Sequence, residues 1–284
     1  MTLNNYQIAY NGLTIGAGTN YPVLSIDGLE SLPDLRVQDE NKGYRDGMFT
    51  GRDFANARTI TLEILTLAGG GNTATQNYDL LQKAFQPTST GTQTLQFLLS
   101  NVDTQKRIEA RVRTNRTTIT PEYTFGYIRS QITLFAPDPR YYDETSQTVT
   151  IAASDGLGRT YNKTFPRTYL AWNPVGTTTA TNNGWKTTNP VITITGPVAQ
   201  PQVGNVTNSA QFLTINYTLG TGDTAVIDTD AQTVTINGIN ARNVLNNAST
   251  WWTLAPGANS LYFTGGSIVN GTTTCVATYR SAYI

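Results

Sequence analysis

Asn189-Pro190-Val191-Ile192-Thr193-Ile194-Thr195-Gly196-Pro197 is a run of Cβ-branched residues closed at each end by proline. Branching at Cβ restricts χ1 and suits a pleated, half-buried surface. The pattern recurs in Gly222-Asp223-Thr224-Ala225-Val226-Ile227-Asp228-Thr229 and in Val234-Thr235-Ile236-Asn237-Gly238. It returns in the stretch from Trp251 to Phe263, where Pro256-Gly257 breaks the run. Asn-Gly and Pro-Gly supply the backbone angles of tight turns. Short strands punctuated in this way predict a sandwich or a jelly roll, not a catalytic α/β layer.

Upstream, Tyr6, Ile8 and Tyr10, then Leu24 and Ile26, alternate as strands do, and Ser31 to Val37 opens another strand. A polar loop, Asn41 to Asp53, follows. In Arg58-Thr59-Ile60-Thr61-Leu62-Glu63-Ile64-Leu65-Thr66-Leu67, Ile60, Leu62 and Ile64 share one face. One helix is expected over Tyr78 to Phe85, capped by Thr75 or Asn77 and stopped by Pro87. Strands are predicted at Leu95–Leu99, Arg107–Arg113 and Tyr127–Phe135. Pro137 and Pro139 then bar continuation of the sheet.

That turn is where we divide the chain, into residues 1–146 and 147–284. Residues 147–188 are read as linker and first strands: Thr148–Ile151 and Tyr161–Phe165 extended, Gly176–Gly184 a polar loop. Charge supports the division. The first part holds 13 Lys/Arg and 15 Asp/Glu, the second only 6 and 4, with 28 threonines in their place.

The 284-residue chain has zero net charge, no histidine and one cysteine, Cys275. Long-range attraction to nucleic acid has no global support. The commonest general base and metal ligand is missing, and an intrachain disulfide is excluded. No catalytic residue, cofactor site or metal site is therefore predicted. No N-terminal apolar core and no apolar run of about 18 residues is found, so neither secretion nor membrane insertion is expected. Cys275 sits in an apolar run and reads as a small buried hydrophobe.

Arg107, Glu109, Arg111 and Arg113 project from one strand face. A phosphate-contacting stripe is one reading. A solvated or subunit-facing side is preferred, because Glu109 interrupts the positive row. Glu63, Glu109, Asp223 and Asp228 show no spacing that singles out a glycosidase pair. Gly69-Gly70-Gly71 lacks the Lys-Ser/Thr of a phosphate loop and reads as a flexible loop. Trp251 and Trp252, being adjacent, face opposite ways on a strand, and an outward indole would serve as a sugar platform or interface anchor.

Three segments resemble the distal tail proteins of long, flexible-tailed bacteriophages. They are Gly43 to Asp53 leading into Arg58–Glu63, then Phe135-Ala136-Pro137-Asp138-Pro139-Arg140-Tyr141-Tyr142, and Asn189–Pro197 with Ile227-Asp228-Thr229 and Pro256–Asn259. The resemblance implies a mainly β chain: a tail-tube-like β-barrel or sandwich with one helix, then a galectin-like or carbohydrate-module-like jelly roll. It implies a structural virion protein without enzymatic activity, assembled in the host cytoplasm. Its first domain would form a homo-hexameric ring joining the tail tube protein to the tip hub, with the tape measure protein as a further neighbour. On that basis Arg45, Phe49, Arg52, Arg58, Arg111 and Arg113 are the subunit-interface candidates. The alternative is a carbohydrate-binding adhesin gripping host surface glycans through Trp251 or Trp252. A cell-wall hydrolase is the least supported reading.

Overall fold

The computed structural model describes residues 2–88, 91–100, 104–154, 177–207, 211–269 and 271–284. The chain folds as two compact units, Met1–Glu144 with Tyr283–Ile284, and Thr145–Ala282. The protein is mainly β, as its Thr, Val and Ile runs dictate.

In the first unit the strands are β1 (Gln7–Tyr10), β2 (Leu13–Gly16), β3 (Val23–Asp27), β4 (Leu35–Arg36), β5 (Glu40–Asn41) and β6 (Met48–Phe49). They continue as β7 (Phe54–Ala55), β8 (Arg58–Thr66), β9 (Gln93–Leu98), β10 (Lys106–Thr118), β11 (Ile128–Ala136) and β12 (Tyr141–Asp143). The main sheet runs β2-β1-β9-β10-β11-β8-β3, with β12 paired to β10. The sheet therefore does not end at the two prolines; it resumes at Tyr141, once the rings that lack N–H donors are passed. Alternation puts Ile60, Leu62 and Ile64 of β8 into the core with Ile108, Ile132 and Leu134. Their threonine and charged neighbours on the opposite face stay in reach of water.

Helix α1 (Ala74–Ala84) lays Leu81 and Ala84 on this core, and Phe85, just past its end, stacks on Tyr10 at 5.0 Å. Its cap is Thr73, not Thr75 or Asn77. The Thr73 hydroxyl accepts from Gln76 N at 3.3 Å, and Thr73 N donates to Gln76 Oε1 at 2.8 Å, a reciprocal capping box. Asn77 is instead buried, donating to Leu67 O at 2.8 Å and Gly69 O at 3.3 Å, which pins the glycine loop that precedes the helix.

The second unit contains β13 (Gln147–Ile151), β14 (Ala153–Ser154), β15 (Thr178–Asn182), β16 (Val191–Thr195), β17 (Val198–Asn205) and β18 (Gln211–Thr214). It continues with β19 (Thr218–Leu219), β20 (Thr224–Asp228), β21 (Thr233–Ile236), β22 (Ile239–Asn240), β23 (Gly257–Gly266) and β24 (Thr274–Tyr279). One sheet runs β13-β24-β16-β20-β21-β22; the other runs β14-β23-β17-β18, with β15 on β23 and β19 on β17. Ile192, Ile194, Ala225 and Ile227 from the first sheet meet Val203, Leu213, Leu261 and Phe263 from the second in one core. Two sheets over a common apolar layer make a β-sandwich. Asn237 and Gly238, both at positive φ, turn β21 into β22 as the Asn-Gly pair requires.

Two local expectations are corrected. Thr178–Asn182, read as part of a polar loop, is strand β15, held by β23 along its length with Ala180 and Asn182 inward. Trp251 and Trp252 lie outside any strand, so the opposition expected from a pleat does not apply to them. The strand expected at Tyr161–Phe165 lies outside the described residues.

Candidate functional site

Between β3 and β8 the first unit extends an arm. Two short ribbons build it, β4 with β7 and β5 with β6. Asn56 N donates to Asp34 O at 2.8 Å near its base, Gly51 N to Asp39 Oδ1 at 2.8 Å in its middle, and Lys42 N to Gly47 O at 3.2 Å near its tip. Gly51 is required by close approach: a Cβ there would stand 1.9 Å from Gln38 O.

The arm displays its apolar side chains to solvent. Leu35, Val37, Met48, Phe49 and Phe54 are all exposed, Phe49 at 63 %. Lys42 lies over the Phe49 ring at 5.4 Å and Arg36 over Phe54 at 5.3 Å. Isolated ribbons of this length are marginal in water, and contiguous exposed apolar groups mark an interaction surface. Arg45, Phe49 and Arg52 thus fall together on one exposed element. The sequence marked the tip but missed Leu35, Val37 and Phe54, because only the fold shows that no core receives them.

Arg58 does not join them; as a surface contact it is a correction. It is 1 % exposed and binds the chain's own backbone. Nη1 donates to Gly28 O at 2.8 Å, Leu29 O at 2.9 Å and Ser31 O at 2.5 Å, and Nε to Pro139 O at 3.1 Å. Burial lowers its pKa, opposed by attraction to Tyr141. Beside it, Gly28 at φ +77° leaves no room for a Cβ, which would meet Thr59 O at 2.0 Å. Arg58 therefore fixes the segment from which the arm departs.

Arg111 and Arg113 sit apart from the arm's residues in sequence, on β10, and they flank one aromatic ring. Their guanidinium carbons lie 5.7 and 4.6 Å from the Phe135 centroid. Arg111 faces Phe135 in register, and a β-bulge between Val112 and Thr114 brings Arg113 alongside. Their neighbour Arg107 is satisfied by Glu109 at 2.6 Å, so the positive row is partly neutralised within its own strand. A second feature of this unit is an apolar groove lined by Tyr6, Ile8, Pro22, Val23, Leu24 and Ile26. It lies beside the sheet's two outer strands, β2 and β3.

In the second unit Trp252 is 1 % exposed and part of the core, which corrects its reading as a glycan contact. Trp251 is half-buried, with Arg242 over its ring at 5.3 Å. Among the described residues Trp185 is the exposed indole, and its setting in Asn183-Gly184-Trp185-Lys186 gave no periodic signal. Among the described residues no group of three or more His, Cys, Asp or Glu gathers to hold a metal. No helix among them is long and apolar enough to cross a membrane.

Comparison with known proteins agrees with this architecture. Residues 183–283 match the family model of the siphovirus-type tail component, C-terminal domain. A search of curated proteins gives no significant match. Among solved structures, the SPP1 Dit (gp 19.1) protein, described as a paradigm of hub adsorption apparatus in phages infecting Gram-positive hosts, aligns with a TM-score of 0.69. The alignment covers 98% of this chain and 99% of that one at 14% identity. A chain of the phage P2 baseplate in its activated conformation with Ca aligns with a TM-score of 0.53 at 11% identity, over 96% of this chain and 97% of that one. The Sr form gives 0.51 at 12% identity, over 96% of each. The likeness drawn from the sequence is therefore shown: in sequence for the C-terminal domain, and in fold for nearly the whole chain.

Proposed function

We propose that this chain is a structural component of a phage tail tip, six copies closing into a ring through residues 1–146. The ring continues the tail tube protein and joins it to the tip hub or baseplate, close to the tape measure protein. Residues 147–284 project outward. The protein resides in the virion and assembles in the host cytoplasm, and no catalytic role is proposed.

The observation that carries this reading is the arm. Its exposed apolar side chains need a covering surface, and a second copy offers one in the groove beside β2 and β3. Joining two different surfaces head to tail is what closes a ring, as opposed to a twofold dimer. Charged side chains on the same element, Arg45 and Arg52, would set the register between neighbours. The siphovirus-type tail match and the hub and baseplate likenesses support the setting.

Mass photometry tests it. The chain is expected at the mass of six copies of 30.9 kDa, with or without purified tail tubes as template. Phe49→Asp is expected to leave single copies with an unchanged melting curve, since the side chain touches no core. A wild-type chain that stays single even with template refutes the ring.

A further inference from the structure

On the outer face of the β14-β23-β17-β18 sheet, Tyr262, Gly204 and Phe212 stand side by side across three strands. Gly204 is in register with Tyr262 on β23 and with Phe212 on β18. A Cβ on Gly204 would meet Tyr262 Cε1 at 2.3 Å, Cζ at 2.6 Å and the hydroxyl oxygen at 2.7 Å. The tyrosine therefore does not stand off the sheet. It leans across the glycine toward Phe212, with its underside on the backbone. Burial on that side raises its pKa, while part of the residue remains in contact with solvent. Phe212 is half-buried likewise.

The described neighbours of this strip are uncharged, with the exposed Val206 opposite Ser260 as the apolar one. One register step along, Gln202 lies between Thr214 and Thr264 on the same face. Ser260 and Thr179 lie on the other side of Tyr262. These positions carry amides and hydroxyls and no charge. Strands about 4.8 Å apart make the three-strand strip roughly 10 Å wide, the width of one to two sugar rings.

We propose that the Tyr262–Gly204–Phe212 strip binds an uncharged oligosaccharide by stacking a pyranose face on the tyrosine ring. The C–H face of a pyranose is apolar and flat, and it is attracted to the negative face of an aromatic ring. Its rim hydroxyls match amide and hydroxyl partners. The absence of charge among these described positions favours a neutral glycan over an anionic polymer or a nucleic acid backbone. Gly204 makes the platform, because any side chain there would lift the ring off the sheet.

The test titrates the full chain with cellohexaose, maltohexaose and chitohexaose, read by calorimetry and by saturation-transfer NMR on the wild-type protein. At least one probe is expected to bind saturably. Tyr262→Ala and Phe212→Ala should each weaken binding by about tenfold, the loss of one aromatic contact. Tyr262→Phe should retain it, and Trp251→Ala should leave it unchanged. Gly204→Ala keeps every aromatic yet displaces the ring, so it should weaken binding as Tyr262→Ala does. Binding of none of the three probes by wild type overturns the proposal, as does binding that survives Tyr262→Ala and Gly204→Ala in folded protein. Since the readout is glycan binding by the chain itself, it is independent of whether six copies form a ring.

Discussion

Replacing Arg58 by Met should release the arm without touching it. The side chain's guanidinium serves four backbone carbonyls, and Leu29 O is the most deeply buried of them. A buried acceptor left unsatisfied costs about 1–3 kcal/mol; the other three, nearer to solvent, cost about 0.5–1 kcal/mol each once water reaches them. Burial already works against this cation, so removing the charge returns part of that loss. The net expectation is a loss of about 3 kcal/mol, a large share of the stability of a domain this size. A chain of two compact units falls outside the two-state approximation, so a single midpoint is not the right measure. Hydrogen exchange followed by mass spectrometry on peptides covering residues 27–36 and 54–66 reads the first unit directly. Protection in both should fall, and mass photometry should show fewer rings although Arg45, Phe49 and Arg52 are untouched. Arg58→Lys should recover only part of the loss, because an ammonium lacks the planar fork that spans several acceptors. If Arg58→Met leaves protection at residues 27–36 within about 1 kcal/mol of wild type, the anchoring argument fails.

Two further outcomes follow from burial. Cys275 is 0 % exposed, and burial pushes its thiol up, so the folded chain should not react with Ellman's reagent until denaturant is added; prompt reaction of the native chain contradicts the packing. The pKa of Lys106 is raised even though burial opposes its charge, because hydrogen bonds to Asp143 (2.6 Å) and Tyr283 outweigh that cost. A raised lysine contributes stability that is complete below its ordinary value of 10.5 and is lost as pH climbs through its folded value. The first unit should therefore weaken above about pH 10.5 more steeply than in Lys106→Met, as followed by hydrogen exchange; parallel profiles for the two proteins exclude the linkage.

Much of the strand pattern was legible because a sheet with one buried face writes its period into the chain. Arg58–Thr66 alternates inward and outward residue by residue, and Ile60, Leu62 and Ile64 occupy the core as the alternation requires. The Asn237-Gly238 turn was equally plain, since few residue pairs accept two positive φ angles. Thr178–Asn182 was not legible: with three threonines and an alanine it carries no apolar alternation, and only its pairing with β23 makes it a strand. The helix cap was misplaced for a similar reason. Thr73, Thr75 and Asn77 are all competent caps, and the choice falls to Thr73 because Asn77 is taken inside to hold the glycine loop.

By itself, the sequence determined the β class, the one α-helix found among the described residues, the absence of histidine chemistry and the likeness to siphovirus tail components. Those properties rest on local preferences and on residue types, which need no partner to be read. Tertiary structure alone decided which side chains face outward. It drew Arg58 and Trp252 inside, where carbonyls and a core receive them. It left Leu35, Val37 and Phe54 outside, and it laid Tyr262 across Gly204. Exposure depends on what the rest of the chain brings to a position, and that is fixed only when distant strands pair.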